Sequence, residues 1–599
     1  MSARPARDRS AGRLRMFLLV VAMVVSLFGV RLFQLQGLDP KAYAAKAREQ
    51  GAVTAVLPAK RGEILDRTGS PLAQSVQGRM LIADPALTRP YAAVIARVLA
   101  DRLDVDYFDT LAKLTKKNSR FQYLARRIPS TQATAAVTAI QAKIKPLIKD
   151  KEKRAVPFGG VTLMSDPLRS YPGKDVAANL LGFINANGQP SGLELSFDKL
   201  LSGKDGKQTY EVGGGNRIPL GQNTTVEPRN GKDLELTIDR DTQWYVQRVL
   251  CNAVEGSGAE SGSAVVMRPG TGEVLALADC PTFDANDPST AKKGTLGAPS
   301  LQNVYEPGSV EKVLTVSSLL DAHKVTPRTK ITVAPELHVA DRTIHDWFTH
   351  PVLHLTMTGV IAKSSNIGTA EAATQLTHEQ LYDKLREFGL GSRTGVGLAG
   401  ETAGLVPDWH SWSAVNQATI AFGQGISVNT LQMAAAINTI ANHGVYVSPS
   451  LVKGSATTDS GQQVGTDHTT KRRVVSTEAA TKMTRMMEMV PNPETGTAPG
   501  AQVAGYRVAG KTGTAQEVDP KCKCYGNGFT VSFAGFAPAD KPAFTVYVVI
   551  NKPTNGGGGG SIGGPAFSKI QSFLLQRYGV TPTGTKAPNL PIYWGSDLR

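Results

Sequence analysis

Residues 305–320, with the sequence YEPGSVEKVLTVSSLL, place a serine and a lysine three positions apart at the start of a predicted helix. A Pro-Gly pair stands directly before Ser309 and signals a turn. Apolar residues recur at helical spacings of three and four and give this helix a buried face: Val313, Val316 and Leu320. Because positions i and i+3 lie on one face of a helix, Lys312 is predicted to lie next to Ser309.

This serine and lysine have the chemistry of an activated nucleophile. A serine hydroxyl reacts poorly until a base removes its proton, and a lysine can be that base only if burial or a neighbouring cation lowers its pKa. The start of a helix also offers free backbone N–H groups to an oxyanion. The same spacing occurs three more times in the chain, at Ser196–Lys199, Ser289–Lys292 and Ser450–Lys453. Only Ser309 and Lys312 stand in the turn-then-helix context, so they are the candidate catalytic pair.

A second polar motif, Ser364–Asn366 (SSN), follows about 55 residues further along the chain. Its functional interpretation needs a hydroxyl that relays a proton to a leaving group and an amide that holds the substrate. A polar loop is the competing interpretation, and residues 427–429 (SVN) match the same pattern. Lys363 adds positive charge directly before the motif. Ser364 and Asn366 are therefore further candidate catalytic residues.

The third motif, residues 511–514 (KTGT), is predicted to lie on a strand. The strand candidates Thr530–Phe536 and Phe544–Ile550 follow it and would build an antiparallel meander. The free backbone groups of an edge strand can pair with an extended peptide, and a glycine lets that backbone come close. Two threonines would bind a carboxylate in the positive field of the lysine. The candidate substrate-binding residues are Lys511, Thr512, Gly513 and Thr514.

The first forty residues predict a membrane anchor. Residues 1–15 hold five arginines and one acid, and the apolar stretch Met16–Gln36 is 21 residues long, with Arg31 near its far end. About 20 apolar residues cross a bilayer as a helix. The arginines predict a cytoplasmic N-terminus and an extracytoplasmic position for the rest of a single-pass chain. A signal peptide cleaved near residues 42–44 is the competing interpretation, but this site lies unusually far from the apolar run.

Turn signals and hydrophobic patterns divide the exported part into two blocks and a tail. The first block, 37–230, mixes turn-rich strands with helix. In the second block, 231–580, predicted strands at both ends flank a helical middle, which indicates an antiparallel sheet covered by helices. The tail, 581–599, is proline-rich and predicted to run extended. The predicted fold class is thus α+β with one N-terminal transmembrane helix, a mixed α/β domain and a sheet-and-helix domain.

Charge and cysteine content exclude some classes of protein. The formal net charge of +16 is spread along the chain, which argues against nucleic-acid binding and fits a site among anionic membrane or wall polymers. The four cysteines fit no zinc pattern and are too few for a disulfide scaffold. A Cys251–Cys280 disulfide and free thiols both remain open, whereas a Cys522–Cys524 disulfide would close a very tight ring.

The order and spacing of the three motifs resemble the penicillin-recognising serine acyltransferases. Flanking segments are similar to those of class B penicillin-binding proteins, and the resemblance covers about residues 16–580. These segments are residues 61–73 (RGEILDRTGSPLA), 169–172 (RSYP), 192–194 (GLE), 236–239 (LTID), 305–309 (YEPGS), 363–366 (KSSN), 422–425 (FGQG) and 510–516 (GKTGTAQ).

The resemblance implies a serine-type D-Ala-D-Ala transpeptidase that cross-links peptidoglycan stem peptides and needs no cofactor or metal. Ser309 would attack the D-Ala–D-Ala carbonyl with Lys312 as the base, while Ser364 and Asn366 assist proton transfer and positioning. The KTGT residues would hold the substrate carboxylate. The backbone N–H groups of Ser309 and Thr514 would form the oxyanion hole, and β-lactams would leave a stalled acyl-enzyme on the same serine.

The resemblance also implies roles for the domains and a need for partners. Block 37–230 would be a non-catalytic pedestal of the dimerisation type, and block 231–580 the penicillin-binding transpeptidase domain. Polymerisation of glycan strands would then require a partner, a polytopic membrane glycosyltransferase, among other divisome proteins. The short anchor and the KSSN context favour the division-specific (septal) branch, with side-wall elongation as the alternative.

Rival functions and departures from the family pattern complete the prediction. A D,D-carboxypeptidase or β-lactamase would share the acylation site, but the pedestal and anchor argue against a hydrolase. A β-lactam sensor would need a cytoplasmic effector, and an inactive scaffold would not keep all three motifs.

Val310 and Glu311 differ from the usual residues between the serine and the lysine. Arg268 and Cys280 also differ from the residues usual at their positions. Glu311 is expected to face away from Ser309 and to have no direct role.

Overall fold

The computed structural model describes residues 9–34, 52–147, 160–185, 187–213, 216–217, 223–292, 294–519, 522 and 524–595. The helices in chain order are α1 (Arg9–Phe33), α2 (Pro85–Thr88), α3 (Ala92–Leu103), α4 (Tyr107–Thr115), α5 (Ser130–Ile144), α6 (Ala178–Leu181), α7 (Gly192–Ser196), α8 (Asp198–Leu201), α9 (Arg240–Gly256), α10 (Pro299–Gln302), α11 (Lys312–Asp321), α12 (Met357–Lys363), α13 (Asn366–Ala373), α14 (His378–Glu387), α15 (Ala414–Ile420), α16 (Thr430–Ala441), α17 (Thr477–Met487) and α18 (Gly564–Arg577).

The strands of the described residues form several sheets. In chain order they are β1 (Ala52–Leu57), β2 (Ile64–Leu65), β3 (Pro71–Val76), β4 (Gly78–Ala83), β5 (Gln122–Pro129), β6 (Val161–Ser165), β7 (Leu168–Ser170), β8 (Gly206–Gly213), β9 (Asn216–Arg217), β10 (Thr224–Val226), β11 (Leu234–Glu235), β12 (Ser261–Met267), β13 (Val274–Cys280), β14 (Lys330–Val333), β15 (Leu337–Val339), β16 (Arg342–Ile344), β17 (Leu353–Thr356), β18 (Val445–Val447), β19 (Ala456–Thr457), β20 (Gln463–Val464), β21 (Lys471–Arg473), β22 (Ala509–Asp519), β23 (Cys524–Ala537) and β24 (Phe544–Asn551).

Helix α1 is long, apolar and exposed. Its stretch Gly12–Phe33 has 22 residues, and none of the stretch is buried against the rest of the chain. At about 1.5 Å per residue it is long enough to cross the hydrocarbon core of a bilayer, about 30 Å. The helix begins at Arg9, inside the predicted polar tail, because helical hydrogen bonding continues past the apolar residues. Residues 1–8 and 35–36 of the predicted tail and anchor lie outside the described residues.

The described residues divide by their contacts into two compact units. The first contains Gln77–Leu168, Lys204–Asn230 and the chain before Lys60. In this unit the antiparallel sheet β5–β4–β6 packs with α3, α4 and α5. Buried apolar side chains of these elements form its core, including Leu81, Ile95, Leu99, Leu114 and Ile140.

The second unit contains Lys60–Val76, Arg169–Gly203 and the chain from Gly231 onward. Its centre is a five-stranded antiparallel sheet in the order β13–β12–β24–β23–β22. Helices α9 and α18 pack together against this sheet, and α16 packs against β12 and β24. The predicted fold class is confirmed, because strands from both ends of the segment meet in one sheet under helices. Strand β22, which carries KTGT, lies at the edge of the described sheet.

An ionic cluster joins two early segments of the second unit to each other. Arg61 Nε lies 2.5 Å from one oxygen of Glu194, and Arg169 Nε lies 2.6 Å from the other. The Glu194 side chain is fully buried, so these contacts replace its hydration. The three residues belong to the family-like segments RGEIL, RSYP and GLE, all inside the predicted block 37–230. Contacts group 60–76 and 169–203 with the rest of the second unit, and the domain boundary at residue 230 stays a prediction.

Candidate active site

Ser309 lies in a single 3₁₀ turn, Gly308–Val310, directly before α11. The turn passes close to strand β22: a Cβ atom at residue 308 would lie 2.7 Å from the carbonyl oxygen of Thr514. Residue 308 also has a φ of +54° and donates its N–H to Gly423 O at 3.0 Å. A glycine is required here because a side chain has neither the space nor the backbone freedom. The nucleophile candidate is thereby placed beside the KTGT strand.

Lys312 is the centre of the polar network. Its ammonium nitrogen Nζ lies 2.7 Å from Asn366 Oδ1 and 2.7 Å from the carbonyl oxygen of Ser364, and 3.5 Å from Ser364 Oγ. The side chain is fully buried. The SxxK and SxN motifs, about 55 residues apart in the chain, are therefore in direct contact.

The SSN segment forms a tight connection between two helices. Ser364 ends α12 in the left-handed region, with a φ of +61°. Ser365 caps α13, because its Oγ accepts the Gly368 N–H at 2.9 Å. The turn directs the Ser364 carbonyl and the Asn366 amide to the same lysine. A non-glycine residue in this conformation costs about 1–3 kcal/mol, and such strain is concentrated at functional sites.

Lys511 joins the third motif to the same network. Its Nζ donates to Ser364 Oγ at 2.8 Å and to the Thr512 carbonyl oxygen and hydroxyl at 3.0 and 3.2 Å. Like Lys312 it is fully buried. Thr514 is exposed, and its hydroxyl donates to Gly513 O at 2.9 Å. The structure therefore brings all three predicted motifs together around the Ser364 hydroxyl.

Burial shapes the protonation of the two lysines. It lowers the pKa of Lys312 from 10.5 to about 7, against the opposing charges of Asp346 and Glu311. The pKa of Lys511 falls well below its usual value, through burial and then the nearby charge of Lys312. Two ammonium groups this close disfavour each other, so a neutral amine is available in the site near neutral pH. A neutral amine is what a general base requires.

Ser309 is partly exposed. Among the described residues its hydroxyl forms no hydrogen bond, so its proton is not committed to an acceptor in the free protein. A cavity of about 550 Å³ is lined by the flanks of the surrounding segments, including Tyr305, Glu306, Gly425 and Ala515. This volume falls in the range of small-molecule sites, about 300–1,000 Å³.

Sequence reasoning missed two residues that contact the SSN segment. Asp346 is fully buried in the loop between β16 and β17, and its Oδ1 accepts the N–H groups of Asn366 at 2.5 Å and Ile367 at 3.0 Å. Its Oδ2 accepts the Ser365 hydroxyl at 2.7 Å, and His350 Nε2 lies 3.1 Å away. No motif marks these residues in the sequence, although an acid and a histidine four positions apart in a loop offer a weak signal.

Glu311, the unusual residue before the lysine, is fully buried. Its Oε1 accepts the Thr315 hydroxyl at 2.8 Å, and its Oε2 has no hydrogen-bond partner among the described residues. Burial raises the pKa of this carboxyl well above its usual value. Its absence from the reaction stays a prediction.

The other motif matches have structural roles. Ser196 Oγ donates to Gly192 O, Ser289 Oγ to Asp287 and Ser450 Oγ to Val452 O. Asn429 of the SVN triplet caps α16. The cysteines, left open by the sequence, form two disulfides, Cys251–Cys280 and Cys522–Cys524.

A helix-covered antiparallel sheet with these three motifs in contact defines a serine-type acyltransferase of the penicillin-recognising class. The chain matches the family model described as "Penicillin binding protein transpeptidase domain" over residues 262–572. It also matches "Penicillin-binding Protein dimerisation domain" over residues 56–236. The chain belongs to the penicillin-binding proteins, and because it carries both domains it is a class B member.

Named relatives and solved structures agree with this family. The chain is 35% identical to "Penicillin-binding protein PbpB" of Mycolicibacterium smegmatis, covering 96% of this chain and 91% of the relative. It is 32% identical to "Peptidoglycan D,D-transpeptidase FtsI" of Escherichia coli, covering 92% and 89%. A crystal structure of penicillin-binding protein 3 of Mycobacterium tuberculosis complexed with ampicillin has a TM-score of 0.68 and 31% identity, covering 90% of this chain and 100% of that one.

Proposed function

We propose that this chain is a membrane-anchored peptidoglycan D,D-transpeptidase that cross-links stem peptides through an acyl-enzyme on Ser309. The observation that carries the proposal is the position of Lys312 Nζ, 2.7 Å from both Ser364 O and Asn366 Oδ1. One buried amine thus joins the serine turn to the SSN segment. Lys511 joins the KTGT strand to the same segment at 2.8 Å.

The first half-reaction transfers the donor peptide to the enzyme. Lys312, as the neutral amine, removes the Ser309 proton while Oγ attacks the carbonyl carbon of the penultimate D-alanine. The bond between this carbon and the nitrogen of the terminal D-alanine then breaks. The leaving nitrogen receives the proton from Lys312 through the Ser364 hydroxyl, so D-alanine departs as a neutral amine. Hydrogen bonds of catalytic groups often close only in the substrate complex, which accounts for the free Ser309 hydroxyl.

The second half-reaction transfers the acyl group to an amine of a neighbouring stem peptide. This amine attacks the ester carbonyl, gives its proton to Lys312, and forms a new amide as the Ser309 oxygen leaves. The proton returns to the serine, and one amide bond has replaced another. Asn366 holds the donor amide during both steps.

The KTGT strand binds and orients the donor. An extended peptide pairs with the edge of β22, and the substrate carboxylate contacts Thr512 and Thr514 in the field of Lys511. The backbone N–H groups of Ser309 and Thr514 stabilise the tetrahedral oxyanion. A β-lactam presents the same carboxylate and carbonyl, but its ring-opened leaving group stays attached and the ester persists.

Labelling with a fluorescent penicillin tests the nucleophile. We expect Ser309→Ala to keep the thermal unfolding of the parent chain and to lose labelling. Ser289→Ala is the matched control, because Ser289 belongs to an SxxK pair whose hydroxyl bonds Asp287. We expect this control to label fully. If the Ser309→Ala protein is still labelled, Ser309 is not the nucleophile. Rapid turnover of penicillin by the parent chain would favour a hydrolase.

We further propose the cellular setting. The arginine-rich tail lies in the cytoplasm, α1 spans the membrane, residues 37–230 form the non-catalytic pedestal domain, and residues 231–580 form the transpeptidase domain. The relatives named PbpB and FtsI support work at the division septum. The partners there would be a polytopic glycosyltransferase and other divisome proteins. A fluorescent fusion of the chain is expected at midcell in dividing cells. An even distribution along the side wall would favour the elongation alternative.

A further inference from the structure

Asp346 and His350 form a buried pair behind the SSN segment. Their side chains are 0% and 3% exposed. Each oxygen of Asp346 receives hydrogen bonds from this segment, two at Oδ1 from the N–H groups of Asn366 and Ile367 and one at Oδ2 from the Ser365 hydroxyl. The carboxylate therefore fixes the start of α13 and, through it, the amide that contacts Lys312.

Both ring nitrogens of His350 have polar partners. Its Nδ1 lies 2.6 Å from the carbonyl oxygen of Pro351, and its Nε2 lies 3.1 Å from Asp346 Oδ2. The ring therefore links the Asp346 carboxylate to the backbone of the loop that carries it.

We infer that Asp346 and His350 are a positioning pair that holds the SSN segment against Lys312. The inference rests on the proposed function, because positioning matters for a reaction at this site. Neither residue touches the substrate in this mechanism. The pair acts by fixing the Asn366 amide and the Ser364 carbonyl, the two groups that lie 2.7 Å from the base.

The helices near the pair carry two titratable groups that the Asp346 charge affects, Lys312 on α11 and Glu371 on α13. Burial lowers the pKa of Lys312 on α11, and the Asp346 charge opposes this effect. Glu371 on α13 has its pKa raised by burial and then by Asp346. The His350 Nε2 lies 3.1 Å from the carboxylate, and the Phe348 ring packs 5.1 Å from the His350 ring between centroids. Removal of the Asp346 charge should therefore lower the pKa of Lys312.

Two substitutions remove the pair, Asp346→Asn and His350→Gln. His410→Gln is the matched control, since His410 pairs with Asp408 at 2.6 Å but is 72% exposed.

Penicillin acylation kinetics test the positioning role. Asp346→Asn removes the carboxylate that accepts from Asn366, Ile367 and Ser365, and His350→Gln removes the ring that contacts both Asp346 and Pro351. We expect both to lower the first-order acylation constant about 10²-fold. The initial binding of penicillin and the final labelling of one site per chain should be unchanged. Only Asp346→Asn should also shift the pH midpoint of acylation downward, and His410→Gln should match the parent chain.

The outcomes separate this inference from the proposed function. If the parent chain is acylated and Asp346→Asn is acylated at the same rate with the same pH midpoint, the positioning role is wrong while the function stands. If the parent chain is not acylated at all, the proposed function fails first and the inference fails with it.

Discussion

At the residue scale, Lys312 and Lys511 both approach the Ser364 hydroxyl, but their hydrogen-bond partners differ. Lys511 donates to Ser364 Oγ at 2.8 Å, whereas Lys312 has its short contacts with the Ser364 carbonyl and Asn366. Burial disfavours the charged form of both amines, and each disfavours the charge of the other. The site therefore keeps a base available without a histidine or a metal in the proposed reaction.

The pH dependence of acylation follows from Lys312. Its pKa is lowered to about 7, so the amine is protonated below this pH and cannot accept the Ser309 proton. We expect the acylation rate by penicillin to rise through a midpoint near pH 7 and to fall about tenfold per unit below it. Stopped-flow labelling between acid and mildly alkaline pH measures this midpoint.

Substitution of Lys312 tests in a second way whether this lysine is the base. Lys312→Met fits the buried site but has no base, and loss of a general base costs about 10²–10⁴-fold in rate. Lys363→Met is the control, because Lys363 is adjacent to the SSN motif but only partly buried. A midpoint near the ordinary lysine value, or an active Lys312→Met protein, would contradict Lys312 as the base.

At the element scale, the serine turn and strand β22 must approach without side chains between them. Gly308→Ala would add a Cβ 2.7 Å from the Thr514 carbonyl oxygen at a φ of +54°. We expect the turn to move away from the strand, with acylation slower by about 10²-fold. The left-handed backbone adds about 1–3 kcal/mol of strain, so the melting temperature should also fall.

Gly270→Ala is the matched control for this prediction. Gly270 lies in the turn between β12 and β13, and a Cβ there meets no atom within 4 Å. Calorimetry and penicillin labelling of both variants separate a local effect from a general loss of stability. Equal acylation by Gly308→Ala and the parent chain would show that the close approach is dispensable.

Elements and residues marked by a spacing pattern or a motif were predictable from the sequence. Contacts made by residues that carry no such pattern were not. Lys312, Ser364 and Lys511 carry family motifs, so their contact was foreseen. Asp346 was not, because a single acid in a loop has no periodic or motif signal, and its importance comes from hydrogen bonds to residues about 20 positions away. Local patterns also gave the strands of the central sheet.

At the scale of the whole molecule, the limit of sequence reasoning lies in how distant segments pack. Turn composition reads only the local chain and does not show which distant segments meet. Arg61 bonds Glu194, a residue 133 positions later, and both lie in the second unit. Such a buried charge cluster is fixed only by the final fold, since each partner alone would be costly to bury.

The apolar helix α1 does not contribute to the folded core, because none of its Gly12–Phe33 stretch is buried against the rest of the chain. The active-site contacts, which come from residues 308–514, do not involve it. Replacement of residues 1–36 by a cleavable signal peptide should release a water-soluble protein with an unchanged rate of penicillin acylation. The same protein should fail to support cross-linking in cells, because an anchor holds the enzyme at its lipid-linked supply of substrate.

An unrelated membrane-spanning helix with arginines on its cytoplasmic side is the control and should restore membrane binding. A truncated chain that still sediments with membranes, or one that loses acylation in solution, would contradict an anchor whose only task is attachment.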